Sequence, residues 1–567
     1  MKKYFSLLPG ALFSSFVSSV QSKRFIRLSK TLLFLLICTT ISCQKNLDTK
    51  VLQAEDALNN VDRQNAAPIQ CSAQAEQTDY NFYEMNSDGT RVGDVMPYYD
   101  ASSGLFYIYY LKDIWNDATN QRHPWYGFTT TDFYSYNQIV AGEIIGCSTD
   151  PCKQDYAVGT GSVIKSGSTY YGFYTGHNPN YPSGCVTKKE GVMLATSTSP
   201  SIKFTKSSPF TTIYPPVGQG FDEGDNFRDP FVFLDNGTYY MLVSARKNAS
   251  GTWRGVIVKY TSTNLTSWTY AGVLYDGGST NYFMMECPEI FKIGSTYYLL
   301  FSDINTKNVY YIKCATVSGT WSYPVGPDRF DGTGIYAAKT ATNGTDRYIF
   351  GWTAVNAGNN DAGLPIWGGN LVVHKIFQKA NGDLSVCIPH TLKSNVETTN
   401  LPISKNSQYG NVTNTVPGSQ TYRIISTANY DVANVLYDPI SAARFKISAT
   451  VSYTTSSRDF GFLIGACDGY DNVFSLRFVP SQNRFSFDKT KRSLITSSTV
   501  PSNDGPFTMA PNTNYAVQIV IENSMAVVYI NNEVALTSRI YKATNTTWGV
   551  FADNSDATFT NITVTKP

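Results

Sequence analysis

Histidine is nearly missing from this chain, with four in 567 residues, and no His/Cys group falls at ligand spacing. A metal site built from imidazole and thiolate is therefore not expected, and no residue pattern calls for a cofactor. Charge is sparse as well. Charged residues make up 16% and the formal net charge is +2, so no basic field points to nucleic acid. The apolar run near the amino terminus, Leu32-Leu33-Phe34-Leu35-Leu36-Ile37, is too short to span a bilayer as a permanent helix.

Aromatic residues and glycine are plentiful: 39 Tyr, 32 Phe and 42 Gly. That mixture favours strands and turns over helices. Tyr and Trp also stack on sugar faces, although filling a β core accounts for most of them. At 567 residues the chain exceeds one ordinary core, and two or more domains are expected.

Lys23, Arg24, Arg27 and Lys30 precede the apolar run, which ends in Thr40-Ile41-Ser42-Cys43. This is a targeting segment, set apart from the fold. Small residues followed by Cys resemble a bacterial lipobox, which implies that residues 1–43 are a lipoprotein signal and that Cys43 carries the lipid. The Leu usual three residues before such a Cys is replaced by Thr40, and an ordinary secretory signal is the alternative. Both readings make the protein exported, the first as a membrane-anchored lipoprotein at the cell surface or in the periplasm. Residues 44–76 are polar and pattern-poor, and read as a flexible tether. Cys38 and Cys43 fall in the signal, and the other eight of the ten cysteines suffice for bridges in an oxidising compartment. Cys147 and Cys152 flank Ser148-Thr149-Asp150-Pro151, a spacing that suits a short loop bridge.

One pattern recurs along residues 77–393. Gly93-Asp94-Val95-Met96-Pro97 leads into Gly104-Leu105-Phe106-Tyr107-Ile108-Tyr109-Tyr110. Arg228-Asp229-Pro230-Phe231 leads into Gly237-Thr238-Tyr239-Tyr240-Met241, and Glu286-Cys287-Pro288-Glu289 into Gly294-Ser295-Thr296-Tyr297-Tyr298. Each time an acid opens a strand, a Gly-bearing turn follows, and an aromatic second strand returns. Thr160 to Gly176 and Ile335 to Trp352 supply two further units without the acid. Short strands repeated radially hide sheet edges in a propeller, so the expectation is all-β, with a five-bladed β-propeller over 77–393. Residues 394–567 alternate at period two, as in Arg444 to Tyr453 and Tyr515 to Ile521, with a tight turn at Asn531-Asn532. They read as a C-terminal β-sandwich.

The three acids suggest one shared site. Cleaving a glycoside requires one protonated and one ionised carboxyl group flanking the bond. Three converging carboxylates repel one another, which raises at least one pKa. Taken singly, Asp94 reads as a Gly-Asp turn, Asp229 as an Asp-Pro turn and Glu286 as an edge charge; together and in order they read as catalytic.

The set Asp94, Arg228-Asp229-Pro230 and Glu286-Cys287-Pro288 resembles the three acidic motifs of glycoside hydrolase family 32, the invertases, inulinases and levanases. Tyr336-Ala337 with Gly351-Trp352 is similar to that family's fifth blade. Asn531 to Tyr541 and Trp548 to Asn554 are similar to its sandwich. The first motif departs, keeping the acid but losing the Asn, Pro and Gly around it. The resemblance implies a retaining β-fructofuranosidase, with Asp94 as nucleophile, Glu286 as acid/base and Asp229 as transition-state stabiliser. Arg228 is expected to hold Asp229 ionised. Substrate contacts are expected from Arg228, Trp115, Trp125, Tyr336 and Trp367, of which Trp115 and Trp125 read equally as blade packing and Trp367 reads more readily as packing. The expected partner is an oligo- or polysaccharide; the sequence does not give the oligomeric state, and a monomer is the expectation. An inverting furanosidase or xylosidase of family 43 remains open, as does a surface glycan-binding lipoprotein that grips sugar without cutting it.

Overall fold

The computed structural model describes residues 79–567 apart from 87, 114–121, 208–209, 467–470 and 542–545. The expected signal, Cys43, the tether and Trp115 lie outside the described residues.

Five antiparallel blades follow in chain order. Their first strands are Arg91–Asp100, Ala157–Ser166, Phe227–Asp235, Met285–Ile293 and Tyr336–Thr342. Each first strand pairs with the next in sequence through a short turn, as alternating apolar and aromatic residues around Gly dictate. Gly104, Gly167, Gly237, Gly294 and Gly344 occupy the five turns at positive φ. The fifth blade meets the first through the pairing Val92↔Gly369, which closes the ring.

The same irregularity opens all five first strands. Register slips between Gly93 and Val95, Gly159 and Gly161, Arg228 and Phe231, Glu286 and Glu289, and Tyr336 and Lys339. A bulge adds residues to one strand of a pair, bends it and re-aims the side chains it carries. Here the displaced residues are Asp94, Thr160, Asp229 with Pro230, Cys287 with Pro288, and Ala337 with Ala338. Asp229, Cys287 and Ala337 adopt positive φ (63, 52 and 49°), a conformation unusual for residues with a side chain.

The sandwich is built on two long strands, Arg444–Ile464 and Trp548–Lys566, paired along most of their length. The first half of Arg444–Ile464 also pairs with Tyr515–Glu522, and its end with Phe474–Val479. Bulges let such strands pass from one layer into the other. Asn531 and Asn532 turn at φ 53 and 54° between Met525–Ile530 and Val534–Arg539, as Asn readily does. A helix, His390–Val396, absent from the sequence reading, joins the two regions.

Propeller and sandwich share one hydrophobic cluster, in which Tyr298, Ile349 and Val372 meet Val520, Val527 and Tyr529. Buried polar groups cross the junction. His374 bonds Tyr529 Oη at 2.8 Å and Asp331 Oδ2 at 3.0 Å. Glu522, buried in the sandwich, accepts the backbone N–H groups of Asn81, Phe82 and Tyr83 at 2.6, 3.1 and 2.9 Å. The segment that leads into the first blade is therefore clasped by the second domain.

Two sequence expectations fail in the fold. Cys152 is bridged to Cys185, not to Cys147. Cys147 is free and packs against the core of the first two blades, where burial pushes its thiol up to about 11, whereas Cys152 and Cys185 are both exposed on facing loops. Trp125 does not line a sugar site. It belongs to the third strand of its blade, two strand spacings out from the axis, is fully buried and donates to Gly159 O at 2.9 Å.

Candidate active site

The five bulges converge on one cluster of charge. Asp94 accepts from Thr160 Oγ1 at 2.5 Å and from Trp352 Nε1 at 3.0 Å, one bond to each oxygen. Asp229 accepts the Cys287 N–H at 2.9 Å, and its own N–H donates to Thr175 Oγ1 at 2.9 Å. Thr175 in turn donates to Thr160 O at 2.9 Å. The second blade, which contributes no acid to the motif set, thus ties Asp94 to Asp229.

Glu286 is held from both sides. Arg228 donates to its Oε1 through Nη2 at 2.7 Å and Nε at 3.1 Å, and the Tyr336 hydroxyl donates to Oε2. The same guanidinium reaches Glu190 Oε2 through Nη1 at 3.1 Å. Arg228 was expected to pair with Asp229; it does not bond it. Neighbours on a strand point to opposite faces, and Asp229, displaced in the bulge, bonds the Cys287 N–H instead.

Arg228 thus bonds two of the four carboxyl groups in the cluster, Glu286 and Glu190, and protonation in the cluster reflects the imbalance. Burial pushes Asp229 up to about 7; Arg228 opposes the rise, while Glu286 and Asp94 add to it. Asp94 is also raised, by burial first and by the charge of Glu286, against the hydrogen bonds from Thr160 and Trp352. Burial would raise Glu190 too, but Arg228 and the His177 ring outweigh it and hold that carboxyl well below the usual range. The cluster thus sets two raised carboxyls, Asp94 and Asp229, beside a lowered one, Glu190.

Of the other expected contacts, Tyr336 joins the cluster, and burial together with Glu286 raises its hydroxyl well above the usual value. Trp367 is half-buried beside Asp94. A Cβ on Gly93 would stand 2.1 Å from its ring, so only glycine permits that approach. Trp367 also lies 4.4 Å from the His123 ring and 5.8 Å from Trp352. Sequence reasoning missed Glu190, His177 and Thr160. Glu190 opens a strand, Glu190–Ser197, with neither a Pro nor an aromatic return to mark it.

The pattern of the glycosyl hydrolases family 32 N-terminal domain matches residues 96–381, and that of the family 32 C-terminal domain residues 402–566. The first match begins two residues after Asp94, so that residue's place rests on the geometry above. A sucrose-6-phosphate hydrolase of Escherichia coli is 26% identical over 243 residues, covering 40% of this chain and 48% of the relative. One from Staphylococcus xylosus is 23% identical over 50% of this chain and 58% of its own length. The chain thus spans about half the length of these relatives. In structure, an Aspergillus kawachii β-fructofuranosidase complexed with glycerol superposes with a TM-score of 0.64 at 17% identity, over 89% of this chain and 98% of that one. Propeller, sandwich and both matched segments lead to one conclusion: the chain belongs to glycosyl hydrolase family 32.

Proposed function

We propose that the protein is a retaining glycosidase that cleaves β-fructofuranosidic bonds in fructans or sucrose-type oligosaccharides. The observation that carries the reading is the convergence of Asp94, Asp229 and Glu286 on bulged first strands, with one guanidinium among four carboxyls. In the first step an Asp94 oxygen bonds the anomeric carbon, the glycosidic C–O bond breaks, and Glu286 gives its proton to the leaving oxygen. In the second, Glu286 takes a proton from water, the oxygen adds to the anomeric carbon, and the Asp94 ester breaks. Asp229 holds sugar hydroxyls as positive charge develops on the ring. Arg228 and Tyr336 fix the Glu286 carboxyl between them, and the indoles of Trp352 and Trp367 supply apolar faces beside Asp94.

Rapid quenching with an activated fructoside, followed by peptide mass spectrometry, should find a hexosyl adduct on Asp94. Products of inverted configuration with no adduct would make the enzyme an inverting one. Failure to cleave inulin, levan, sucrose or arabinan would leave a glycan-binding protein.

The same reading includes export and attachment through a lipid on Cys43, supported by the basic flank, the apolar run and the Ser42-Cys43 junction. Cys43→Ala should move the protein from membrane to soluble fractions, since the acyl chains would be its anchor. Unchanged partition would exclude lipidation there.

A further inference from the structure

A half-open cavity of about 410 Å³ lies in the sandwich and is lined only by sandwich residues. Its volume falls in the range of small-molecule sites, roughly 300–1,000 Å³. None of its lining residues belongs to the carboxylate cluster of the propeller.

Local irregularities build it. Register on the long strand passes from Ser456↔Ser555 to Asp459↔Asp553, so Ser457 and Arg458 face Asn554 alone across a bulge that delivers them to the cavity. Tyr430 sits opposite at φ 68°, a strained conformation for a bulky residue, of the kind that concentrates at ligand sites. Its N–H donates to Asp553 Oδ1 at 2.9 Å. Its ring lies 4.0 Å from the Arg458 guanidinium, and at 40% exposure it remains open to solvent.

The charges behind the cavity cancel. Arg458, Arg477 and Arg492 meet Asp459, Asp488 and Asp553 in one buried network. Arg477, which lines the cavity, gives Nε to Asp459 and Nη1 to Asp488 at 2.7 Å. The guanidiniums are thus fixed as planar hydrogen-bonding plates, with their charge already matched. The remaining lining is amide and hydroxyl. Asn554 donates to Asn429 Oδ1 at 2.8 Å, Gln482 stands beside them, and neither lysine nor a carboxylate is present. An anion would find its countercharge already taken. An apolar peptide would find only Val479 as an aliphatic floor. Amides, hydroxyls and a stacked Tyr–guanidinium face suit a ligand that is neutral and polyhydroxylated.

We infer that this cavity binds a neutral oligosaccharide segment, giving the sandwich a glycan-holding site separate from the cleavage site in the propeller. The test uses the full chain carrying Glu286→Gln, electrophoresed through gels that contain levan, inulin or arabinan. Tyr430→Gly and Gln482→Ala should each weaken retardation by one of these polymers about tenfold, the scale of losing a key binding contact. Tyr430→Gly suits the left-handed backbone, so its melting temperature should hold while binding is lost, which separates a binding role from a structural one. In the parent chain, both substitutions should leave turnover of sucrose unchanged. The inference fails if both variants are retarded like the parent, if none of the polymers retards the protein, or if inorganic sulfate displaces the glycan. A chain inactive on every fructoside would defeat the catalytic reading while leaving the gel result readable.

Discussion

Two of the buried clusters of charge among the described residues are built on opposite principles. In the propeller four carboxyls cluster with one guanidinium, Arg228, which bonds only Glu190 and Glu286, and the His177 ring lies 3.3 Å from Glu190. In the sandwich three carboxyls meet three guanidiniums. Burial raises the cost of charge in both. In the balanced cluster Arg492 and Arg477 overcome that cost and hold Asp459 at about 2. Asp553 is raised, since burial and the nearby Asp459 exceed what its two guanidiniums return. In the unbalanced cluster Asp229 rises to about 7 and Asp94 rises with it. A matched buried network is architecture. A network short of cations keeps protons that can be moved, which is what acid–base chemistry needs.

The largest effect should come from removing Glu286, the proposed acid/base, from the unbalanced cluster. Glu286→Gln keeps the Arg228 and Tyr336 contacts sterically possible, so the fold should survive while turnover falls about 10²–10⁴-fold, the scale of general acid–base catalysis. Steady-state kinetics on an unactivated oligosaccharide, with circular dichroism as control, decide it; near-parental turnover would remove Glu286 from its role.

Breaking the balanced cluster should cost stability instead. Arg492→Met leaves Asp459 and Asp553 short of a partner and should destabilise the protein by about 3–5 kcal/mol, as expected when one member of a buried ion pair is removed. Denaturant or thermal unfolding reads this. A stability loss within error would mean that the network contributes nothing as built.

The smallest effect is a pH-dependent gain. A carboxyl whose folded value, about 7, exceeds its unfolded value of 3.8 binds more protons in the folded state. Its favourable contribution is present below the unfolded value and disappears as pH rises through 7. Asp229→Asn should therefore raise the melting temperature at pH 8 by the equivalent of about 1 kcal/mol or more, and much less at pH 4, while activity is lost. Equal shifts at both pH values would show that Asp229 is not a strained acid.

Much of this could be read from the chain because each acid precedes a Pro by one to three residues at a strand entrance, and Gly marks each turn. Asp94, Asp229 and Glu286 were visible for that reason. Their partners were not. Thr160 and Glu190 act from the second blade, and Trp352 from the fifth, so their roles exist only once the ring closes. Arg228 misled because adjacency in sequence is not adjacency in space on a strand. Cys147 misled in the same way: Cys185, 33 residues beyond Cys152, is nearer to it in the fold than the cysteine five positions before.

The clasp at Glu522 sets an order in time. Asn81 and its acceptor are 441 residues apart. At synthesis rates of about 5–20 residues per second, roughly 20–90 s separate the emergence of the two. Until Glu522 is made, the Asn81, Phe82 and Tyr83 amides lack the acceptor that they have in the folded chain. The entry to the first blade to be made is thus secured only once the sandwich strand Tyr515–Glu522 is made.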